Sequence, residues 1–142
     1  MNINYSRIKK YLMDVTENTR KIEKILIETS NKNLMSEEIV RLALKYLVIE
    51  IAEDMANTIQ HILAKHFGSA VKGYVDTIKK GFEKGLVSED VYNTLKPFFD
   101  FRNSLIHRYW IIDDMTFLQN LKLGYKDFFR FCEEIENFLK NN

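Results

Sequence analysis

Apolar residues recur at three- and four-residue steps through most of this 142-residue chain, and only five glycines and one proline interrupt them. That spacing turns one face of an α-helix toward a core. Scarce Gly and Pro also leave few places for tight turns, which excludes a β-sandwich or barrel of many short strands. Hydrophobic residues make up 46% of the chain, and ten Phe and seven Tyr make the core a bulky one. The length suits a single domain, and no repeat, linker or low-complexity stretch divides residues 1–142.

Ile8, Leu12, Val15, Ile22, Ile25 and Leu26 predict a first amphipathic helix over 4–29, followed by a polar connector from Thr29 to Asn33. Ser36 is placed to cap a second helix, with Glu37 and Glu38 at its positive end. That helix runs to about Phe67, where Gly68 offers a stop. Its apolar positions include Ile39, Leu42, Ala43, Tyr46, Leu47, Ile51, Met55, Ile59 and Leu63, so it should lie centrally with more than one neighbour. A short third helix is expected over 74–84, ending near Gly85. Ser88, with Glu89 and Asp90 behind it, caps a fourth. Pro97 predicts a kink there, or two shorter helices meeting. A last helix over 114–140 should bury Phe117, Leu118, Leu121, Phe128, Cys132, Ile135 and Phe138, weakened in the middle by Gly124. The expected fold is all-α, an antiparallel bundle of four long helices plus a short one.

Twenty-one basic residues against twenty acidic ones leave a net charge of +1. No global basic field can hold long nucleic acids, and DNA is not expected as a partner; any RNA contact must be local. The one cysteine, Cys132, excludes an intrachain disulfide and a zinc knuckle. His61 and His66 are five apart, the wrong spacing for two ligands on one helix face, so no metal is expected. No Gly-rich phosphate loop occurs, so the chain itself should not hydrolyse or transfer nucleotides, and no cofactor is expected. Met1 to Arg7 lacks the apolar run of a signal peptide. No run of 18 apolar residues predicts a membrane span. A cytoplasmic location is expected.

Residues 102–110 read Arg-Asn-Ser-Leu-Ile-His-Arg-Tyr-Trp, which contains the pattern Arg-x4-His-x-Tyr. Arg102 is a permanent cation shaped for phosphate oxygens, and His107 can move protons near neutral pH. On one straight helix, positions five apart are separated by about 140°. Arg102 and His107 would therefore diverge, whereas Asn103 and His107 would align. Either the helix ends before His107, or a second copy of the chain completes the pair. A plainer reading makes the cluster structural, with Arg102 paired to Asp100, Asp113 or Asp114 and His107 hydrogen-bonded inside the bundle. Glu50, Asp54, Asn57 and His61 fall on one stripe of the second helix. They form either a groove wall that faces the motif and fixes Arg102, or a solvated face. Lys72, Lys79, Lys80 and Lys84 could guide RNA phosphates, or be a solvated face.

The stretch from about Leu34 to Ile135 resembles the HEPN superfamily, and within it the HepT-like ribonuclease toxins of prokaryotes. Three segments carry the likeness: Ile49 to Asn57, Gly73 to Ile78 running into Lys84 to Ser88, and Phe101 with the motif followed by Ile112-Asp113. The resemblance implies a homodimeric, metal-independent endoribonuclease toxin with its groove between protomers, acting on an RNA such as tRNA or mRNA. The ribose 2′-OH would attack the adjacent phosphorus to leave a 2′,3′-cyclic phosphate. His107 would shuttle the proton and Arg102 would stabilise the growing negative charge. Asn103 would orient His107 or meet a phosphate oxygen, Arg108 would add a phosphate contact, and Asp54 and Asn57 would support the site. The resemblance further implies a minimal nucleotidyltransferase antitoxin as partner, with Tyr109 as the site of AMP transfer. Otherwise Tyr109 packs beside Trp110. The alternative function is a non-catalytic helical interaction or nucleotide-binding module that partners a nucleotidyltransferase.

Overall fold

Short polar side chains set where the helices begin. Asn4 Oδ1 accepts the Arg7 N–H at 3.0 Å and opens α1 (Tyr5–Glu28). Ser30 Oγ accepts the Asn33 N–H at 3.2 Å and opens a short helix, α2 (Asn31–Ser36). Then follow α3 (Glu38–Phe67), α4 (Gly73–Glu83), α5 (Glu89–His107), α6 (Asp114–Gly124) and α7 (Lys126–Asn141). This computed structural model describes residues 2–107 and 113–142, with the backbone alone at 105–107, and no strand occurs among them.

The all-α bundle agrees with the expectation from sequence, and four local expectations need correction. The Thr29–Asn33 connector is largely helical, because Ser30 caps a turn there. Ser36 consequently ends α2 instead of capping α3, which starts behind Glu37 with no side-chain cap. Pro97 does not divide the fourth helix into two; α5 runs through it. Burial of Phe98, Phe99 and Phe101 around the proline offsets its missing backbone donor. The expected last helix is two, α6 and α7, which meet at Tyr125. Gly124 closes α6 at this break, and a Cβ at this position would come within 2.7 Å of Thr94 Cγ2. The glycine is kept for the close approach of α6 to α5, and its low helix propensity falls where the helix ends.

α3 is the central element, packed against α1, α2, α4 and α5. Ile51, Met55, Ile59, Ile62 and Leu63 are buried along it. The buried cluster draws on every helix, from Ile8 and Val15 in α1 to Phe128, Phe131 and Ile135 in α7. Its N-terminal third departs from the expected central burial. Ile39, Leu42 and Tyr46 are 83%, 54% and 60% exposed, because neighbouring helices cover only the side that carries Leu44, Leu47 and Val48. At the other end Gly68 takes a left-handed φ of 62° and the Ser69 N–H closes on the Leu63 carbonyl at 2.9 Å, stopping α3 where its glycine predicted. Cys132 lies between α7 and α1, its Sγ 3.6 Å from the Leu12 carbonyl, and burial pushes the thiol up to about 11.

Candidate functional site

α5 delivers the chemistry of the motif by a simple register. Phe98, Phe99 and Phe101 point into the core, with Phe101 against Phe117 at 5.1 Å between ring centroids. That packing fixes the rotation of the helix and leaves Arg102 at the edge of the core, 19% exposed. Its guanidinium meets two neighbouring helices. From α3, Glu53 Oε1 accepts from Arg102 Nε at 2.9 Å and lies 2.7 Å from Nη2. From α4, the Tyr74 ring stacks under the guanidinium, with its centroid 5.0 Å from Cζ. Partial burial raises the Tyr74 pKa, with Arg102 opposing the shift and Glu53 adding to it.

Arg102 therefore pairs with none of the carboxylates expected from the sequence. Asp100 meets Lys96 at 3.3 Å, and Asp113 accepts from Thr116 Oγ1 at 3.2 Å. Asp114 is held by Lys45 at 2.6 Å and Arg41 at 3.1 Å. The hydrogen bond from Lys45 is the largest cause that holds the Asp114 carboxyl below its ordinary range. These two cations tie the start of α6, the first helix after the motif, to α3.

The stripe of Glu50, Asp54, Asn57 and His61 is not the wall that fixes Arg102. Glu50 accepts from the Tyr46 hydroxyl at 2.6 Å. Asp54 is half-buried near Asp14 of α1. Burial first, then the negative charges of Asp14, Glu50 and Glu53, push its carboxyl up to about 7, with Lys10 opposing. Asn57 is exposed. His61 Nε2 accepts the Asn4 N–H at 2.9 Å, which ties the start of α1 to α3. Burial, with Arg7 and Lys65 nearby, lowers the His61 pKa and favours that neutral acceptor.

Spacing along the chain does not single out Glu53 or Tyr74 as site residues. A signal for Glu53 exists: it lies three residues after Glu50 and four before Asn57, within reach of both along α3. For Tyr74 the only pointer is its place in the Gly73–Ile78 segment. Of the four lysines considered for RNA, Lys80 donates to the Ala70 carbonyl at 2.8 Å and Lys84 sits 5.5 Å over the Phe67 ring. A groove of about 530 Å³ between α1 and α7, lined by residues such as Tyr5, Leu12, Met13 and Leu139, shares no residue with this site.

The backbone of α5 continues helically through residue 107. This removes the option that the helix ends before His107. By register, position 107 lies about 140° around the axis from Arg102 and on the same face as Asn103. Asn103 is half-buried one residue beyond Arg102, and the Ser104 hydroxyl turns back to the Phe101 carbonyl at 2.7 Å. Arg108 and Tyr109, expected as a phosphate contact and a modification site, lie outside the described residues, as does the side chain of His107. Among the described residues no cluster of three or more His, Cys, Asp or Glu side chains could hold a metal ion. No helix among them is long and apolar enough to cross a membrane.

This arrangement can be set beside known proteins. Residues 15–135 match the family model for HepT-like ribonucleases. No curated protein matches the sequence. The fold is similar to that of the tri-AMPylated HEPN toxin of Shewanella oneidensis, solved in complex with an MNT antitoxin. The TM-score is 0.82 at 14% identity, over 96% of this chain and 99% of that one. It is also similar to YutE of Bacillus subtilis, a cytosolic protein of unknown function, with a TM-score of 0.79 at 19% identity over 98% of this chain and 92% of that one.

Proposed function

The chain belongs to the HepT-like ribonuclease family, and from that premise we propose that it is a metal-independent endoribonuclease, the toxin of a toxin–antitoxin pair. The observation that carries this reading is Arg102 itself, held from two sides on the helix that also bears position 107. Glu53 engages Nε and Nη2. A guanidinium has five N–H donors, so the Nη1 side lies outside that pair and has the fork geometry that suits a phosphate.

In the proposed reaction a ribose 2′-OH attacks the neighbouring phosphorus and the 5′-oxygen leaves. The products are a 2′,3′-cyclic phosphate and a 5′-OH end. His107 takes the 2′-OH proton or delivers one to the departing oxygen, and Arg102 stabilises charge on the non-bridging oxygens. Asn103 shares the helical register of His107 and orients it. Arg108 adds a phosphate contact. Asp54 and Asn57 support the site from α3.

The working unit is a homodimer, with the whole chain acting as one helical body in the cytoplasm. The angular gap between positions 102 and 107 supports this. One protomer cannot turn both residues to one groove along a regular helix, whereas two protomers can each supply one. The antitoxin is a minimal nucleotidyltransferase that moves AMP from ATP to the Tyr109 hydroxyl and releases pyrophosphate. The bulky anion then competes with RNA for Arg102. The AMP-bearing toxin of similar fold, solved with its MNT antitoxin, supports this regulation.

Purified protein incubated with total RNA tests the central assignment. Wild type should release cyclic-phosphate ends, and His107→Ala should lower the rate by about 100-fold or more while the helical circular dichroism is unchanged. Equal cleavage by the variant would remove His107 from the reaction.

A further inference from the structure

We propose that Glu53 is a positioning residue for Arg102, and that with Tyr74 it forms a cradle that presents the guanidinium to RNA. The proposal rests on the ribonuclease reading above. Three observations carry it. First, one carboxylate oxygen takes both Nε and Nη2 of Arg102, at 2.9 and 2.7 Å, which fixes the guanidinium plane as well as its place. Second, the Tyr74 face lies 5.0 Å from Cζ, so the plane is supported from a second helix. Third, Glu53 and Tyr74 stand on α3 and α4, which pack against each other and against α5, so the cradle is as rigid as the bundle.

The geometry separates orientation from charge. A carboxylate beside Arg102 reduces its net attraction for a phosphodiester. If attraction alone mattered, Glu53 would be a poor neighbour. A long arginine side chain otherwise samples many rotamers, and a phosphate must meet it in one. Glu53 sacrifices some attraction to fix that direction, with the Nη1 side pointing away from the pair. Asp54, next along the chain, makes no such bond and cannot substitute for it.

This predicts an asymmetry between two substitutions. Glu53→Gln keeps an oxygen acceptor and loses the charge. Its kcat should stay within about threefold of wild type, with KM equal or lower. Glu53→Ala loses both. Its kcat should fall by roughly 10- to 100-fold with a much smaller change in KM, because the arginine charge remains while its direction is lost. The kinetics are read on a fluorophore–quencher RNA oligonucleotide. The Arg102 Nε–Hε signal, assigned in 15N NMR spectra by its loss in Arg102→Lys, is read in parallel. It should stand apart in wild type and Glu53→Gln and collapse toward the exposed arginines in Glu53→Ala.

Two results would overturn the proposal: Glu53→Ala cleaving within twofold of wild type, or its Nε–Hε signal remaining in place. A merely structural role would lower both variants in step with their unfolding midpoints and show no rescue by glutamine. If wild type itself fails to cleave, the ribonuclease reading falls, and the NMR signal separately decides whether Glu53 holds Arg102.

Discussion

Glu53 and Asp54 are consecutive acids on α3, yet their surroundings oppose each other. The Glu53 side faces α4 and α5, where Arg102 balances its charge and Tyr74 backs the pair. The Asp54 side is half-buried toward α1, where Asp14 adds a second negative charge and Lys10 is shared with Asp14 at 3.6 Å. One carboxylate sits in an ion pair; the other is pushed up to about 7. A helix turns by about 100° per residue, so one step along the sequence is enough to move an acid from a partner to a repulsion. Acidic composition alone therefore says little about which carboxylate serves a site.

The sharpest way to break this contrast is to remove the cation. Arg102→Ala should lower RNA cleavage by roughly 1000-fold, the scale of losing a charge-stabilising donor. It should also cost about 1–2 kcal/mol of stability in urea, since Glu53 is left partly desolvated without its partner. Unchanged stability would mean that Glu53 does not depend on Arg102. The next test removes the repulsion. The unfolded Asp54 carboxyl titrates near 3.8 and the folded one near 7, so between those values the folded chain binds the proton more tightly. Stability contributed by this group thus falls as pH rises through that window and levels off above it. Asp54→Asn should gain about 1 kcal/mol at pH 8, a figure reduced for partial exposure, and nothing measurable at pH 4. Equal gains at both pH values would refute the repulsion. The smallest effect couples the two sides: Glu53→Gln removes one charge beside Asp54, so the Asp54 titration midpoint, followed by carboxyl 13C NMR, should move downward.

The sequence carried the helical architecture further than it carried the side-chain partnerships. Apolar spacing placed α1 within a residue at each end, and Gly68 marked the end of α3. Those features are local, set by periodicity and by one backbone conformation. The partner of Arg102 is 49 positions away, and spacing along a chain cannot choose among several acids on other helices. It offered Asp100, Asp113 and Asp114, which Lys96, Thr116, Lys45 and Arg41 engage instead. The exposed Ile39, Leu42 and Tyr46 show the same limit. Periodicity marked them as apolar but could not show how far along α3 the covering helices reach. By propensity Gly124 only weakens one helix; in the fold its main constraint is the Thr94 methyl on another.

The seating of Cys132 turns the only thiol of the chain into a stopwatch for its own breathing. Its Sγ is buried between α7 and the Leu12 carbonyl of α1 and stays protonated at neutral pH. A small alkylating reagent can reach it only when α7 lifts from α1. The labelling rate consequently counts those openings directly, at the contact between α7 and α1. Bundle opening can therefore be timed without an engineered probe.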